Sequence, residues 1–163
     1  MKKGIIILIL MLIIINLGLA KETYIIDFSK KSPTGNLVYE LGKGTRLESE
    51  DGSYHLSLYR PESYIRVYTP VTKDELPFRV ILKLYALSLQ IPYLETWNPL
   101  EISVNDKLLI KGWDIGAGIY VSSSFDITSL WLKGETNKIE IRLGKDANGE
   151  VWIRVIELGI YNK

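Results

Sequence analysis

The stretch LEISVNDKLLIK, residues 100–111, decides the class of fold. Leu100, Ile102 and Val104 alternate with polar residues in its first half, and this period of two predicts a strand with one buried face. The pair Asn105-Asp106 separates this strand from a second apolar run. Because Asn and Asp accept the positive φ angles of a tight turn, the stretch is predicted to form a β-hairpin.

Similar runs cover most of the chain. Lys138–Leu143 repeats the alternation, and turn-forming residues such as Glu50-Asp51-Gly52 and Asn148-Gly149 separate neighbouring runs. Further strands are predicted at Tyr24–Phe28, Leu37–Leu41, Ser53–Tyr59, Ser63–Thr69, Phe78–Leu87, Ile119–Phe125 and Val151–Ile160. About eight to ten short strands without a long helical period indicate an all-β sandwich or barrel.

The beginning of the chain has a different composition. A basic start, Met1-Lys2-Lys3, precedes the aliphatic run Ile5–Ile15 and small side chains near Ala20, which is the pattern of a secretory signal peptide at residues 1–20. An uncleaved membrane anchor is the alternative, because the apolar stretch is just long enough to span a bilayer. We therefore predict a secreted, periplasmic or cell-surface protein that contacts a membrane only if the signal is retained.

The remaining residues, 21–163, are predicted to form a single β-sandwich domain, since no linker or repeat divides them. The chain has no cysteine, so it has neither disulfides nor a cysteine nucleophile. Removing Lys2 and Lys3 from the 20 basic residues leaves 18 against 19 acidic ones. This balance lacks the basic excess of a nucleic-acid binder, and nucleic acid is not expected as a partner.

Side-chain patterns typical of catalysis are not found. His55, the single histidine, lies in the middle of a predicted strand without a Ser-His-Asp pattern, so we interpret it as a surface or sheet-face residue. The acidic clusters at Glu48–Asp51 and Asp74-Glu75 fall in predicted turns, where water solvates them. The protein is therefore predicted not to be an enzyme.

Two segments resemble a known family of domains. FDITSLWLKGETNKIEI, residues 125–141, is similar to a segment of galactose-binding-like jelly rolls, which include sugar-binding domains of glycoside hydrolases and many carbohydrate-binding modules. PLEISVNDK, residues 99–107, is similar to the hairpin before that segment, with Asp106 where glycine is usual. The resemblance implies a jelly-roll β-sandwich and a non-catalytic, carbohydrate-binding role. Its matching residues serve caps and turns and do not bind a ligand.

A short helical turn is predicted inside the first of these segments. Asp126 and Thr128 are suited to cap a turn at Ser129–Leu132. Gly134 is expected to end this turn in the left-handed conformation. The turn connects two strands and adds no helical layer.

Strand direction predicts where a ligand binds. Alternate loops of an antiparallel sandwich emerge at the same end, so Ser88–Pro99, Gly112–Gly118, Gly144–Glu150 and the turn Arg60–Glu62 are expected to form one rim. The predicted ligand-binding residues on this rim are Trp113, Trp97, Tyr93, Asn98, Asp114, Asp146 and Asn148. Tryptophan faces and short polar side chains together suit a sugar ring. Trp113 is the first choice for the stacking residue, since three glycines surround it; the alternative is that both tryptophans fill the core.

A sheet face is the alternative ligand site. Side chains predicted to point outward from strands include Tyr59, Tyr64, Arg66, Tyr68 and Tyr85. If their strands are neighbours, these side chains form a polar face with several aromatic rings. The same residue types are also typical of an ordinary solvent-exposed sheet.

The predicted function follows from these observations. We expect a secreted, non-catalytic carbohydrate-binding module whose partner is a glycan or cell-surface polysaccharide. The alternative is a structural or protein-interaction sandwich of the cell envelope with an envelope protein as partner. No cofactor is required; a structural calcium ion, which many galactose-binding-like modules carry, would use Asp27 and Glu157, the acids of the first and last strands.

Overall fold

A computed structural model describes residues 20–71, 75–89 and 96–162. These residues include twelve strands and one short 3₁₀ turn, which loops connect. The strands are β1 (Ala20–Asp27), β2 (Thr34–Gly35), β3 (Val38–Leu41), β4 (Thr45–Glu50), β5 (Ser53–Leu58), β6 (Tyr64–Tyr68), β7 (Arg79–Ser88), β8 (Leu100–Val104), β9 (Lys107–Trp113), β10 (Val121–Asp126), β11 (Lys138–Leu143) and β12 (Val151–Asn162). The predicted signal peptide lies outside the described residues, apart from Ala20.

The strands form two antiparallel sheets. The first sheet has the order β10-β7-β12-β1-β2, with β5 added to β12 and β4 added to β5. The second sheet has the order β3-β6-β11-β8-β9. The chain passes repeatedly between the sheets, as in a jelly roll, and the predicted all-β sandwich is confirmed. Within the described residues, no helix is long and apolar enough to cross a membrane.

The core lies between the sheets and consists of the inward side chains of both. Leu82 and Leu84 on β7 and Ile156 on β12 face Ile102 on β8 and Ile141 on β11, and all five are fully buried. Burying one such side chain contributes about 1.5–3 kcal/mol. The alternation read from the sequence therefore specifies which face of each strand stabilises the fold.

Strand β12 joins most of the first sheet together. One edge pairs with β7 along nearly its whole length, while the other pairs with β5 at Val151–Ile153 and with β1 from Val155 to Asn162. The register shifts between Ile153 and Val155, which leaves Arg154 in a β-bulge. Bulges redirect side chains and occur often beside functional sites. In the pairing between β1 and β12, Ala20 at the start of β1 lies opposite Asn162 at the end of β12.

Two strands were missed by the sequence pattern, the two-residue β2 and the longer β4. The longer one, β4, shows why. Its sequence, TRLESE, contains one apolar side chain, Leu47, and no alternation of apolar residues. The strand forms because its backbone pairs with β5 from Thr45↔Leu58 to Glu50↔Ser53. Backbone hydrogen bonds to β5 thus form this strand, although it has no alternating buried side chains.

The segments that carry the family resemblance form the expected turns. Asn105 and Asp106 have φ angles of 51° and 63°, as the predicted hairpin turn requires. The helical turn, predicted at Ser129–Leu132, is a shorter 3₁₀ turn at Thr128–Leu130. Its cap position is Ile127, which makes no side-chain cap bond, so Thr128 lies inside the turn and does not cap it. Gly134 has the expected positive φ of 67°. Asp126 precedes the turn, and its Oδ1 accepts the backbone N–H of Thr128 at 3.1 Å.

Candidate functional site

The predicted rim exists at one end of the sandwich. Leu100 pairs with both Leu143 and Trp113, which brings the loops after β9 and β11 together. The N–H of Gly144 donates to the carbonyl of Pro99 at 2.7 Å, and the N–H of Glu62 donates to the carbonyl of Leu143 at 2.9 Å. All four predicted loops therefore have described residues at this end. We use "the rim" for this group of loops.

Trp97 is an exposed aromatic side chain of the rim, with 45% of its surface accessible. Its backbone N–H donates to Oδ1 of Asn148 at 2.7 Å, and the N–H of Asn148 donates to its carbonyl at 3.1 Å. These two bonds fix the Trp97 backbone against the loop before β12. Trp97 borders an open cleft of about 330 Å³, whose other lining residues are Pro99, Glu101, Lys111, Gly112, Gly144, Lys145 and Asp146.

Trp113 lies in a different environment from the one predicted. Its ring is half-buried and contacts the ring of Phe125 edge-on, with centroids 4.9 Å apart. It packs against the core between the sheets. The glycines at 112, 116 and 118 have positive φ angles, so they are required by the backbone conformation of the loop. The expectation that Trp113 is uncovered is therefore wrong, because Phe125 and the core contact the ring.

The other predicted rim residues divide into structural and accessible ones. Asn98 is fully buried, and its Nδ2 donates to Oγ of Ser88 at 3.0 Å and to two backbone carbonyls. Asp114 is exposed, but its Oδ1 accepts the N–H of Gly116 at 3.0 Å. Asp146 is exposed and lines the cleft. Tyr93 lies outside the described residues.

The five residues of the alternative site do not share one face. Tyr64, Arg66 and Tyr68 lie on β6 of the second sheet, whereas Tyr85 lies on β7 of the first sheet and Tyr59 follows β5 of the same sheet. The chain crosses between the sheets after β6. The condition that these strands are neighbours is not met, because alternation identifies the face of a strand but not its sheet.

On the second sheet, the outward side chains neutralise one another. Arg66 donates to Glu140 at 2.7 Å and lies 4.4 Å from the centre of the Tyr64 ring. Arg142 also donates to Glu140, at 2.6 Å. Burial alone would raise the pKa of Glu140, but the two guanidinium groups together lower it. The charged groups of this sheet face are therefore bonded to one another.

An aromatic cluster on the outer face of the first sheet was not predicted. The ring of His55 stacks on that of Trp152 at a centroid distance of 3.9 Å. The guanidinium of the bulged Arg154 lies 4.0 Å from the centre of the Tyr120 ring, which in turn stacks on Tyr85 at 5.1 Å. We call these five residues the aromatic patch. Trp152 and Arg154 are two residues apart in β12, and this spacing is the sequence signal that was overlooked.

Three polar atoms of the aromatic patch have no hydrogen-bond partner among the described residues. They are Nε2 of His55, the hydroxyl of Tyr120 and Nε of Arg154, all buried. Leaving such a group unpaired costs about 1–3 kcal/mol, which a ligand atom or a water molecule recovers. Burial also lowers the pKa of His55 and raises the pKa of Tyr120. His55 was predicted to be a surface or sheet-face residue; it lies on the sheet face but is only 2% exposed, because the ring of Trp152 covers it.

The two carboxylates considered for calcium lie on neighbouring strands. Glu157 pairs with Ile25 across β1 and β12, and Asp27 pairs with Val155 two positions along. Nζ of Lys83 and Nζ of Lys21 lie 3.2 Å and 3.6 Å from Oε1 of Glu157. These ammonium groups compete with a cation there. In residues 20–71, 75–89 and 96–162, no three acidic, His or Cys side chains are grouped as metal ligands.

The antiparallel jelly roll described above is shared with solved structures of carbohydrate-binding modules. Among solved structures with this fold, a family 29 carbohydrate-binding module from Piromyces equi has a TM-score of 0.57 at 10% identity, covering 88% of this chain and 93% of that one. A family 35 module from Clostridium thermocellum has a TM-score of 0.50 at 13% identity, covering 84% and 97%. The CBM22-1 xylan-binding domain from Paenibacillus barcinonensis has 0.50 at 12%, covering 85% and 94%.

These likenesses establish the fold, and the predicted resemblance to carbohydrate-binding jelly rolls is confirmed. No model of a known protein family matches the sequence, and no curated protein matches it.

Proposed function

We propose that the protein is a secreted or surface-exposed, non-catalytic carbohydrate-binding module that recognises a polysaccharide at the rim. The observation that carries this proposal is the exposed indole of Trp97 beside the cleft. The shared fold supports it, since the similar structures are carbohydrate-binding modules and one is described as xylan-binding.

The chemistry of the cleft suits a sugar ring. An exposed indole provides a flat apolar surface for the C–H face of a pyranose. Lys111, Lys145, Glu101 and Asp146 line the same cleft and offer both donors and acceptors to hydroxyl groups. Binding is expected to be weak, because millimolar affinity corresponds to only about 4 kcal/mol. The hydrogen bonds between Trp97 and Asn148 reduce the loss of conformational freedom on binding.

The aromatic patch is a second candidate site for a polysaccharide. It is favoured by a different observation, the three unpaired polar atoms beside exposed or half-exposed rings. A glycan lying across Tyr85 and Tyr120 would stack on their rings. The rim and the patch make different predictions for mutants, so one set of variants distinguishes them.

A glycan array probed with the purified protein tests the function, followed by calorimetry with the best oligosaccharide. If the rim binds, Trp97→Ala abolishes measurable binding and Tyr85→Ala, which removes an exposed ring of the aromatic patch, leaves it unchanged. If the patch binds, the opposite pattern is expected. Absence of binding to every plant, algal and bacterial polysaccharide on the array would contradict the proposed function.

A further inference from the structure

A second cleft lies at the same end of the sandwich as the rim. It is formed between the loop that joins β3 to β4 and the turn that joins β5 to β6, and its volume is about 400 Å³. We call it the cationic cleft, and its lining residues are Lys43, Gly44, Arg60, Pro61, Glu62 and Tyr64. The proposed function uses none of these side chains.

The end of β11 connects the cationic cleft to the cleft beside Trp97. The N–H of Glu62 donates to the carbonyl of Leu143 at 2.9 Å, and Leu143 pairs with Leu100 on its other side. The residues that follow Leu143 line the cleft beside Trp97. Because neighbouring strands are about 4.8 Å apart, the starts of β6 and β8, which flank β11, are about 10 Å apart. One oligosaccharide can therefore contact both clefts.

The two cations of the cleft have no ion pair. Lys43 and Arg60 are exposed, and among the described residues neither has a carboxylate within ion-pair distance. The neighbouring Arg46, in contrast, lies 2.6 Å from Glu48. The donors of Lys43 and Arg60 are therefore free to form charge-assisted hydrogen bonds with an anionic group of a ligand.

An aromatic ring positions the guanidinium of Arg60. This group lies 5.2 Å from the centre of the Tyr59 ring, and the guanidinium of Arg46 lies 4.3 Å from the same centre. Such a contact contributes about 0.5–1 kcal/mol at an exposed site. Because a guanidinium is a planar fork of N–H donors, it retains donors for a carboxylate or a sulfate while it contacts the ring.

Backbone hydrogen bonds fix the two segments that form the cleft. The N–H of Tyr59 donates to the carbonyl of Gly44 at 3.0 Å, which joins the loop to the turn. Within the turn, the N–H of Arg60 donates to Oγ of Ser63 at 3.1 Å. Glu62 has a φ of 64°, a conformation that is unfavourable for a long side chain and is often found at binding sites. A ligand thus meets an ordered backbone, which reduces the entropic cost of binding.

Tyr64 provides an aromatic wall of the cleft. Its ring is half-buried and lies directly against Gly42, where any Cβ would collide with it. The guanidinium groups of Arg66 and Arg142 lie 4.4 Å and 5.4 Å from its centre. These contacts fix the ring in place. A sugar whose acidic group contacts Arg60 can therefore place its C–H face on the exposed part of the ring.

We propose that the cationic cleft binds an acidic group, a carboxylate or a sulfate ester, of the polysaccharide that the rim recognises. This inference rests on the proposed function and specifies the glycan as an acidic one. The guanidinium of Arg60 donates a pair of N–H groups to the acidic oxygens, and the ammonium of Lys43 adds a further donor. Glu62 lines the same cleft and opposes the bound charge, so its neutralisation should strengthen binding.

The test compares oligosaccharides that differ only in charge. Oligomers of galacturonate, mannuronate and sulfated galactose are each paired with their methyl-esterified or desulfated forms, and calorimetry measures both affinities. We expect the acidic member of at least one pair to bind about fourfold to twentyfold more tightly, as for two partly exposed ion pairs. The pair that shows the difference identifies the acidic group as a carboxylate or a sulfate. Raising the salt from about 0.05 M to about 0.5 M should weaken only the acidic member.

Charge variants locate the effect. Arg60→Gln and Lys43→Gln should each weaken binding of the acidic oligosaccharide about twofold to fivefold and leave its neutral form unaffected. Glu62→Gln should strengthen binding of the acidic oligosaccharide by about twofold. Lys133→Gln is the matched control, because it removes the same charge from an exposed residue at the opposite end of the sandwich. It should change neither affinity.

The outcomes separate this inference from the proposed function. Equal affinity for the acidic and neutral members of every pair would overturn the inference and leave glycan binding intact. A preference for acidic members that persists in the double variant of Arg60→Gln and Lys43→Gln, or that Lys133→Gln reduces as much, would also overturn it. If no oligosaccharide binds in either form, the proposed function fails and the inference fails with it.

Discussion

The imidazole of His55 lies against the indole of Trp152, with ring centroids 3.9 Å apart and planes inclined by 17°. The contact crosses from β5 to β12, the strand that holds most of the first sheet together. Trp152 is in turn oriented by its Nε1, which donates to Glu150 at 3.1 Å, and Ser57 donates to the same oxygen at 2.9 Å. The histidine, predicted to lie at the surface or on a sheet face, is thus on the outer face of its sheet and covered there by Trp152.

Burial of His55 makes stability depend on pH. Its pKa is lowered, mainly because burial disfavours the charged form. The unfolded chain takes up a proton at about pH 6.5, before the folded protein does. The contribution of His55 to the free energy of unfolding is therefore fully present above about pH 6.5. It is lost as the pH falls from there toward the lower pKa of His55 in the folded protein.

Urea unfolding at about pH 7.5 and about pH 5.5 measures this loss. His55→Phe retains a stacking ring without a titrating group, so its stability should change less between the two conditions. If the parent and the Phe variant lose the same free energy of unfolding, carboxylates and not His55 cause the pH dependence.

The two rim tryptophans should respond differently to truncation. Trp97→Ala removes an exposed ring and is expected to abolish glycan binding without changing the melting temperature. Trp113→Ala removes a ring packed on Phe125, so it should lower the stability by about 2–4 kcal/mol, somewhat less than for a fully buried tryptophan. Thermal unfolding and calorimetry separate the two effects. Loss of binding in folded Trp113→Ala with binding intact in Trp97→Ala would reverse our assignment.

Removing an unpaired hydroxyl should not destabilise the protein. Tyr120→Phe deletes a buried oxygen that has no partner, while the ring keeps its contacts with Tyr85 and Arg154. We expect the free energy of unfolding to stay unchanged or to rise by up to about 1 kcal/mol. Denaturant titration measures this change. A loss of more than about 1 kcal/mol would show that a water molecule or ligand normally satisfies the hydroxyl.

The turn after β10 should matter for stability and not for binding. Asp126→Ala removes the acceptor of the Thr128 N–H, at an expected cost of about 0.5–2 kcal/mol. Gly134→Val places a β-branched residue at a φ of 67° and should cost more. Both variants should melt at lower temperature and bind glycan as the parent does. Unchanged melting of both would mean that the turn contributes nothing to the fold.

Local pattern was sufficient for ten of the twelve strands and for the position of the rim; β2 and β4 were missed. Leu100–Val104 and Lys138–Leu143 have the predicted bounds, because alternation fixes the buried face and the turn residues fix the ends. Loop parity then located the rim without a structure, since antiparallel strands reverse direction at every turn.

What could not be predicted depends on contacts between distant parts of the chain. Whether Trp113 or Trp97 is exposed depends on Phe125, and the burial of His55 depends on Trp152. Alternation also does not specify a sheet, so Tyr64 and Tyr85 were grouped although they lie on different ones. No sequence pattern predicts the bulge at Arg154, because it arises where β12 changes its partner from β5 to β1.

The pairing of Ala20 with Asn162 has a consequence for how the protein is oriented. Both ends of the described chain leave the domain beside each other, at the opposite pole from Trp97. Any segment joined to either end, whether a tether, an anchor or a neighbouring domain, holds the molecule by its base and leaves the rim directed outward.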